Sequence, residues 1–423
     1  MKPYVWHLSN FAGCSLQCLL VGILSTCLFA TSAPDDSHPE VTSIADAVRN
    51  PLFKSGDQHY YDLQYDQALQ DYQKDQREHP TDAFAVNEVL KTIVFRELYR
   101  LNLLDTTLYA HDGFLNKTTP EAADPNVRAS INALVERALL LEDNRLKQNP
   151  DDVDALYCRG VTHGLNSTYM ALVEKSFVSA LRNAVSARHD HERVLELDPK
   201  YIDAKTVVGA HLYVMGSLPL PLKVLAGITG LSGSKKKGLQ YLNEVGASNA
   251  GTSVDARVAL ALFLRREAQY PEALKVVRTL EAEHPRNFLF ALEAANLSKD
   301  EGDGRTAAAA YRRLLQHSTS FSGAHLELAA FGLGEVLRGQ RDFVGAQEAY
   351  DLISDMKSAQ PELKSRALLA AGEMYDQSGN RVMAMKRYNQ VIGSDGDGKC
   401  AAAAEKHMRR PLDLQHSLVE QDF

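Results

Sequence analysis

The chain is poor in several residue types, and each scarcity excludes a class of protein. Only 5 of its 423 residues are Cys, and three of these lie in the first 33. The remaining two, Cys158 and Cys400, cannot make the dense disulfide framework of small secreted domains. Runs that alternate apolar and polar residues between turn signals are almost absent. Together with few Pro (15) and Gly (26), this predicts an all-α protein with very little sheet.

The motifs of common enzyme and metal sites are also missing. Neither the zinc-hydrolase spacing His-Glu-x-x-His nor a Gly-x-Ser-x-Gly elbow occurs. The run from Gly230 to Lys235 has the wrong spacing for a phosphate-binding loop, so we expect it to cap the next helix. In His189-Asp190-His191, residues two apart do not face each other on a helix, so we expect a solvated, charged helix face. The sequence predicts no catalytic residue, no metal ligand and no cofactor.

The N-terminus is typical of a secretion signal. Lys2 precedes a short apolar run from Cys18 to Ala30, and small residues follow up to Ala33. A membrane-spanning helix needs about 20 apolar residues, so a cleaved signal at 1–33 is favoured over an uncleaved anchor. A lipoprotein signal ending at Cys27 fits less well. We therefore expect a polar linker at 34–44 and an exported protein, either periplasmic or secreted.

Small and aromatic residues recur along the last third of the chain at a period typical of stacked helix hairpins. An Ala is followed four positions later by a Tyr at Ala307–Tyr311, Ala346–Tyr350 and Ala384–Tyr388. Residues four apart share a helix face, so the Ala permits close approach of another helix and the ring fills the space beside it. A period near 34 residues is the signature of helical hairpin arrays.

These residues resemble the tetratricopeptide repeat (TPR). Its hairpins carry a small residue in the first helix, a small residue and an aromatic four apart in the second, and Pro near the end. The match covers most of residues 45–400 and includes an N-terminal hairpin at 49–82, with Gly56, Ala68 and Tyr72 in register. The resemblance implies a right-handed superhelical solenoid of antiparallel helix pairs in which distant repeats do not touch. Cys158 and Cys400 should therefore remain thiols.

The chain can be divided into parts according to how closely each part follows the repeat pattern. Residues 45–252 are predicted to be divergent TPR-like repeats, 253–397 a regular C-terminal array, and 398–423 a capping helix with a tail. Two segments, 105–124 and 216–238, interrupt the first part. The second of these is better explained as a strap packed on the repeats than as a membrane contact, because Pro219 and Pro221 weaken an amphipathic helix.

By the resemblance, the first helices of the hairpins line the inner face of the solenoid. One inward position is apolar in four successive hairpins, at Val258, Leu292, Phe331 and Leu369. The polar residues beside them are Arg265, Asn296, Lys299, Glu335, Arg338 and Glu373. An apolar stripe with charges of both signs would suit an extended or helical peptide. The alternative is that the apolar position packs against a neighbouring helix and the charges are only solvated.

The sequence thus favours a non-enzymatic protein–protein interaction scaffold of the cell envelope that binds an unidentified protein or peptide. The formal net charge of -8 gives no basic field for nucleic acid. The alternative is a small-molecule or lipid-binding envelope protein whose cavity is closed by segments 105–124 and 216–238. An open, polar-rimmed groove would favour the scaffold, and an apolar pocket behind the second segment would favour the alternative.

Overall fold

The structure is a computed structural model of the 423-residue chain. It describes residues 50–110, 123–217, 233–321, 324–394 and 398–412. The predicted signal peptide and linker lie outside these residues, as does most of each interrupting segment. The chain divides into two compact units, Met1–His284 and Pro285–Phe423, called unit 1 and unit 2 below. The domain ranges inferred from the sequence remain predictions.

The described part of unit 1 consists of helix hairpins, in each of which an odd-numbered first helix packs against the even-numbered second helix that follows it. The helices are α1 (Pro51–Tyr61), α2 (Tyr65–Glu78), α3 (Ala83–Arg100), α4 (Pro125–Gln148), α5 (Val153–Leu172), α6 (Phe177–Leu197), α7 (Ala204–Ser217), α8 (Lys235–Gly246), α9 (Ser253–Arg266) and α10 (Tyr270–Glu283). A short 3₁₀ helix, Thr106–Tyr109, follows α3. Ser234 caps α8 by accepting from the Lys237 amide, as the sequence predicted for this loop.

Unit 2 continues the same hairpin construction. Its helices are α11 (Phe288–Asp300), α12 (Gly304–Gln316), α13 (Leu326–Gly339), α14 (Phe343–Asp355), α15 (Pro361–Gln377), α16 (Arg381–Ile392) and α17 (Gly398–Arg409). No strand occurs among the residues that the structure describes. The predicted all-α, TPR-like fold is therefore confirmed.

Most hairpin turns share one backbone device. A single residue after the first helix takes a left-handed conformation, and the next amide donates back to a carbonyl five residues earlier, for example Asp342 to Leu337 at 2.9 Å. The left-handed residues of this kind are Leu63, Asn102, Ala268, Gly302, Arg341 and Gly379, with φ from 57° at Asn102 to 91° at Gly302. Lys175, with φ 54°, is also left-handed, but the Ser176 amide after it donates six residues back, to Met170. This closure ends the first helix and reverses the chain.

Within the hairpins, a Gly of the first helix lies against a Tyr ring of the second. A Cβ atom at Gly56 would lie 2.7 Å from the ring of Tyr72, and one at Gly372 would lie 2.5 Å from that of Tyr388. Both rings are fully buried. Because only Gly permits this approach, these pairs confirm the register on which the TPR resemblance rests.

In the hairpin of α5 and α6, a His takes the place of this Tyr. Gly160 lies directly against the ring of His191, which is fully buried and whose Nδ1–H donates to the Ala187 carbonyl at 2.7 Å. Burial lowers the pKa of His191 to about 4. Its neighbour Asp190 is also buried and accepts two hydrogen bonds from Arg159. The expected solvated helix face is therefore wrong, except at the exposed His189.

The first and last hairpins of unit 1 touch each other. The Tyr61 hydroxyl donates to Asp255 of α9 at 3.1 Å, across 194 positions of sequence. Arg265 of α9 likewise donates to the Thr106 hydroxyl of the 3₁₀ helix at 2.9 Å. The expectation that distant repeats do not touch is thus wrong within unit 1. Cys158 and Cys400 are nevertheless both buried free thiols, as predicted.

The last helix covers the end of unit 2. Cys400 and Ala404 of α17 are buried in one apolar cluster with Tyr375, Ala384 and Tyr388. This agrees with the capping role predicted for the helix, since an array of repeats must cover its terminal apolar face. None of the helices in the described ranges combines the length and apolarity that a bilayer crossing needs.

Candidate functional site

The candidate site is the surface of unit 2 formed by the first helices α13 and α15 together with α17. On α13, Phe331, Glu335 and Arg338 stand four and three positions apart and so share one helix face. On α15, Arg366 and Glu373 stand seven positions apart and do the same. We call these residues, with His407 of α17, the α13–α15–α17 surface.

Two contacts fix α13 and α15 in register. The guanidinium of Arg366 lies over the ring of Phe331, 4.7 Å from its centre, and Arg338 pairs with Glu373 at 3.3 Å. Both contacts join residues 35 positions apart, so the two helices run parallel with the same offset along their length. A similar offset relates α15 to α17. His407 of α17 lies 3.4 Å from Glu373, and the two residues are 34 positions apart in the sequence.

Phe331 is the apolar centre of this surface. Its ring is half-buried and meets the buried ring of Tyr350 edge-on, with 5.5 Å between their centres. Arg366 lies over a face of the ring and is itself exposed. A cation over an aromatic face at an exposed site contributes about 0.5–1 kcal/mol, so an incoming side chain can displace Arg366 at modest cost.

A chain of charges borders the ring. The Glu373 side chain is 12% exposed and faces two basic side chains, Arg338 and His407, whose exposures are 33% and 12%. Partly exposed pairs of this kind stabilise a fold by only about 0–1 kcal/mol each. On that scale the two pairs add little to the stability of unit 2.

Buried phenols support the surface from the second helices. Tyr311 donates to Asn296 at 2.6 Å, and Tyr350 donates to Glu335. Burial, reinforced by the Glu335 carboxylate, raises the pKa of Tyr350 far above its ordinary value. The phenol therefore remains a donor at any physiological pH and fixes the orientation of Glu335.

Four of the residues predicted to line a groove are placed elsewhere or enclosed. Leu292 and Asn296 are only 2% and 4% exposed, so both belong to the packed interior of unit 2. Val258 and Arg265 lie on α9 in unit 1, where Arg265 is 4% exposed and bound to Thr106. For Leu292 the alternative, packing against a neighbouring helix, describes the structure better. Asn296 is neither in a groove nor solvated, because it is buried and accepts from Tyr311.

The other predicted residues remain accessible to different degrees. Lys299 is half-buried beside Asp300, at 3.9 Å. Leu369 is half-buried and packs against the apolar cluster of α16 and α17. Of the predicted set, the structure thus brings together Phe331, Glu335, Arg338 and Glu373, and it places Leu369 against the neighbouring apolar cluster.

Sequence reasoning missed two members of the surface, Arg366 and His407. Arg366 lies 35 positions after Phe331, and His407 lies 34 after Glu373. The repeat period itself was the signal that could have found them, because residues one period apart on successive first helices face each other.

The cavity alternative depends on segments that are mostly outside the described residues, at 111–122 and 218–232. The described start of the first segment packs on α9, where Arg266 donates to the Tyr109 carbonyl at 2.6 Å. The described ranges contain no group of three His, Cys, Asp or Glu residues that could hold a metal ion.

The chain matches no protein-family model and no curated protein sequence. Among solved structures it is similar to yeast Tom70, at 12% identity, covering 88% of this chain and 98% of that one, with a TM-score of 0.35. It is also similar to a tetratricopeptide repeat protein from Parabacteroides merdae, at 16% identity over 76% and 97%, with a TM-score of 0.26. Human IFIT1, as a dimer with m7Gppp-AAAA, gives 12% identity over 95% and 88% and a TM-score of 0.39. These low values carry no argument about binding, and the fold assignment rests on the helix contacts above.

Proposed function

We propose that this chain of TPR-like hairpins is a non-enzymatic protein-interaction scaffold that binds a peptide segment of a partner on the α13–α15–α17 surface. One observation carries the proposal: Phe331 stays partly exposed on helices held in a 35-residue register, bordered by the Arg338–Glu373 pair. An apolar anchor site with a charged border is the usual anatomy of a peptide-binding groove.

The parallel register favours an elongated ligand. Successive first helices repeat the same face side by side, so the surface extends across helices rather than inward as a pocket. A partner segment that crosses α13 and α15 would place an apolar side chain on Phe331 and a charged one near Arg338 or Glu373. If the Arg366 side chain moved from the ring of Phe331 to a carboxylate of the ligand, its positive charge would be paired with that carboxylate.

The proposal is tested by site-specific photo-crosslinking. Phe331→benzoylphenylalanine keeps an aromatic ring at the site, and Val382→benzoylphenylalanine on α16, where Val382 is 80% exposed, is the matched control. Irradiation in extracts of the native organism should join a partner through position 331 and not through position 382. A synthetic peptide of the cross-linked segment should then bind the purified protein.

Equal labelling from both positions would contradict the proposal, since it would mean that the adducts form without a specific surface. A cross-linked segment whose peptide does not bind the purified protein would contradict it as well.

We also propose that the scaffold acts in the cell envelope. The support is the short apolar run from Cys18 to Ala30 and the small residues up to Ala33. The N-terminus of protein purified from the native cell should begin near Pro34. Mass spectrometry that finds intact Met1 on soluble cytoplasmic protein would refute export.

A further inference from the structure

We propose that residues 413–423 of this chain bind to the α13–α15–α17 surface of the same molecule, so that a partner must displace them. The inference rests on the proposed function, because it names an intramolecular occupant for the same surface. Residues 413–423 lie outside the described part of the chain.

The described chain ends at the edge of the proposed surface. The Leu412 amide donates to Asp376 of α15 at 3.4 Å, and the side-chain amide of Gln377 donates to the Leu412 carbonyl. Arg381 donates to the His407 carbonyl at 2.9 Å, close to the last turn of α17. The chain is thus turned back from α17 onto the C-terminal end of α15, at the edge of the surface.

The following segment is long enough to reach Phe331. Arg366 lies ten residues before Asp376 on α15, which at the rise of an α-helix is about 15 Å. Glu420 lies eight residues after Leu412 and can extend up to about 26 Å from it. Val419 and Glu420 can therefore lie over the contact between Phe331 and Arg366.

The charge of the segment complements the cation that is available there. Residues 413–423 contain Asp413, Glu420 and Asp422 and no Lys or Arg. Among the described residues, Arg366 has no carboxylate partner, and its recorded contact is the ring of Phe331. A carboxylate that pairs with Arg366 would form a charge-assisted hydrogen bond without breaking an existing ion pair.

Two acidic groups at the surface already have basic partners, and a third, Glu335, accepts from the neutral phenol of Tyr350. Glu373 lies beside Arg338 and His407, and Asp376 accepts two hydrogen bonds from Arg381. Their negative charge is thus partly neutralised, which lowers the repulsion that an acidic segment would meet. The apolar pair Leu418 and Val419, next to Glu420 in sequence, supplies side chains for the half-exposed ring of Phe331.

The test uses the full chain with a photo-crosslinker at the place that should contact the surface, Val419→benzoylphenylalanine. Irradiation of dilute purified protein should give an intramolecular cross-link to peptides that contain Phe331 or Arg366. Arg366→Glu should lower its yield about tenfold, because a like charge replaces the proposed partner of Glu420. Adding Glu420→Lys should restore the yield, and Lys386→Glu on the exposed face of α16 should leave it unchanged.

Four results would overturn the inference: no cross-link, a cross-link to another part of the chain, a yield unaffected by Arg366→Glu, or a yield that rises with protein concentration. The last would mean that a second copy occupies the surface. Failure here is distinguishable from failure of the proposed function. If a partner cross-links through position 331 while Val419 does not, only the intramolecular occupant is refuted. If Val419 cross-links to the surface while position 331 captures no partner, the proposed partner binding is refuted and the intramolecular contact stands.

Discussion

Glu142→Gln should stabilise unit 1 at pH 8 and leave it less stable than the wild type at pH 4.5. Glu142 of α4 is fully buried, and its Oε1 accepts from the Thr162 hydroxyl at 2.8 Å and from the Asn87 amide at 3.4 Å. Burial raises the pKa of this carboxyl to about 8, so the folded protein keeps a proton that the unfolded chain releases near the ordinary pKa of 4.5.

The sign follows from proton binding. Between pH 4.5 and about 8, the folded state binds more protons at Glu142 than the unfolded state does, so stability falls as pH rises. The expected slope is about 1.4 kcal/mol per pH unit. Below pH 4.5 both states are protonated, and this contribution is fully present.

Gln mimics the protonated acid and removes the slope, but not without cost. Glu142 Oε2 has no hydrogen-bond partner among the described residues, so the new amide N–H group would be buried there with part of its bonding lost. We therefore expect a net gain of about 1–3 kcal/mol at pH 8. Glu136→Gln on the exposed face of α4 is the matched control and should change little at any pH.

Alkylation of Cys158 gives a readout confined to unit 1. Its thiol is buried, and its carbonyl accepts from Asn87 in the same cluster as Glu142. The extent of Cys158 labelling is measured as a function of urea concentration for the variant and the wild type at the same pH. Because both are measured at one pH, the pH dependence of the thiol reaction itself cancels. Equal midpoints at pH 8 would show that Glu142 is ionised or hydrated in the folded protein, contrary to this account.

The sequence predicted the fold because the TPR signal is local and repeated. Each hairpin is identified by a small residue facing an aromatic, and Gly372 against Tyr388 shows that contact directly. The same locality explains the error at His191. A His in the place of the Tyr looks like a surface residue when its partner, Gly160, stands 31 positions away in the sequence.

The candidate site could be predicted only in part. Phe331, Arg338 and Glu373 were identified because the repeat gives the face of the helix on which each residue lies. Leu292 occupies the equivalent position but is buried. Burial depends on what neighbouring helices cover, and a position within one repeat does not encode that. The burial of Glu142 between α4 and residues of α3 and α5 was undetectable for the same reason.

Phe331→Ala should weaken binding of the cross-linked partner peptide about 30-fold, which corresponds to about 2 kcal/mol. Truncation removes the half-exposed ring at the centre of the surface and with it the face on which Arg366 rests. Central apolar anchors usually dominate such interfaces. Arg338→Ala, at the border, should cost less and act mainly at low salt, because its charge affects association more than retention.

The stability of each variant has to be measured alongside, since Phe331 also packs edge-on against Tyr350. Phe331→Leu retains an apolar side chain and should fall between the wild type and Phe331→Ala in affinity. If Phe331→Ala loses both its affinity for the peptide and the cooperative folding transition of the protein, Phe331 has a structural role.

The most direct test of the central claim is the affinity of the partner peptide for wild type, Phe331→Ala and Val382→Ala, measured by calorimetry on folded protein. The account predicts wild-type affinity for Val382→Ala, whose side chain is 80% exposed on α16, and about 30-fold weaker binding for Phe331→Ala. Unchanged affinity in a folded Phe331→Ala, or an equal loss in both variants, would contradict a binding site on the α13–α15–α17 surface.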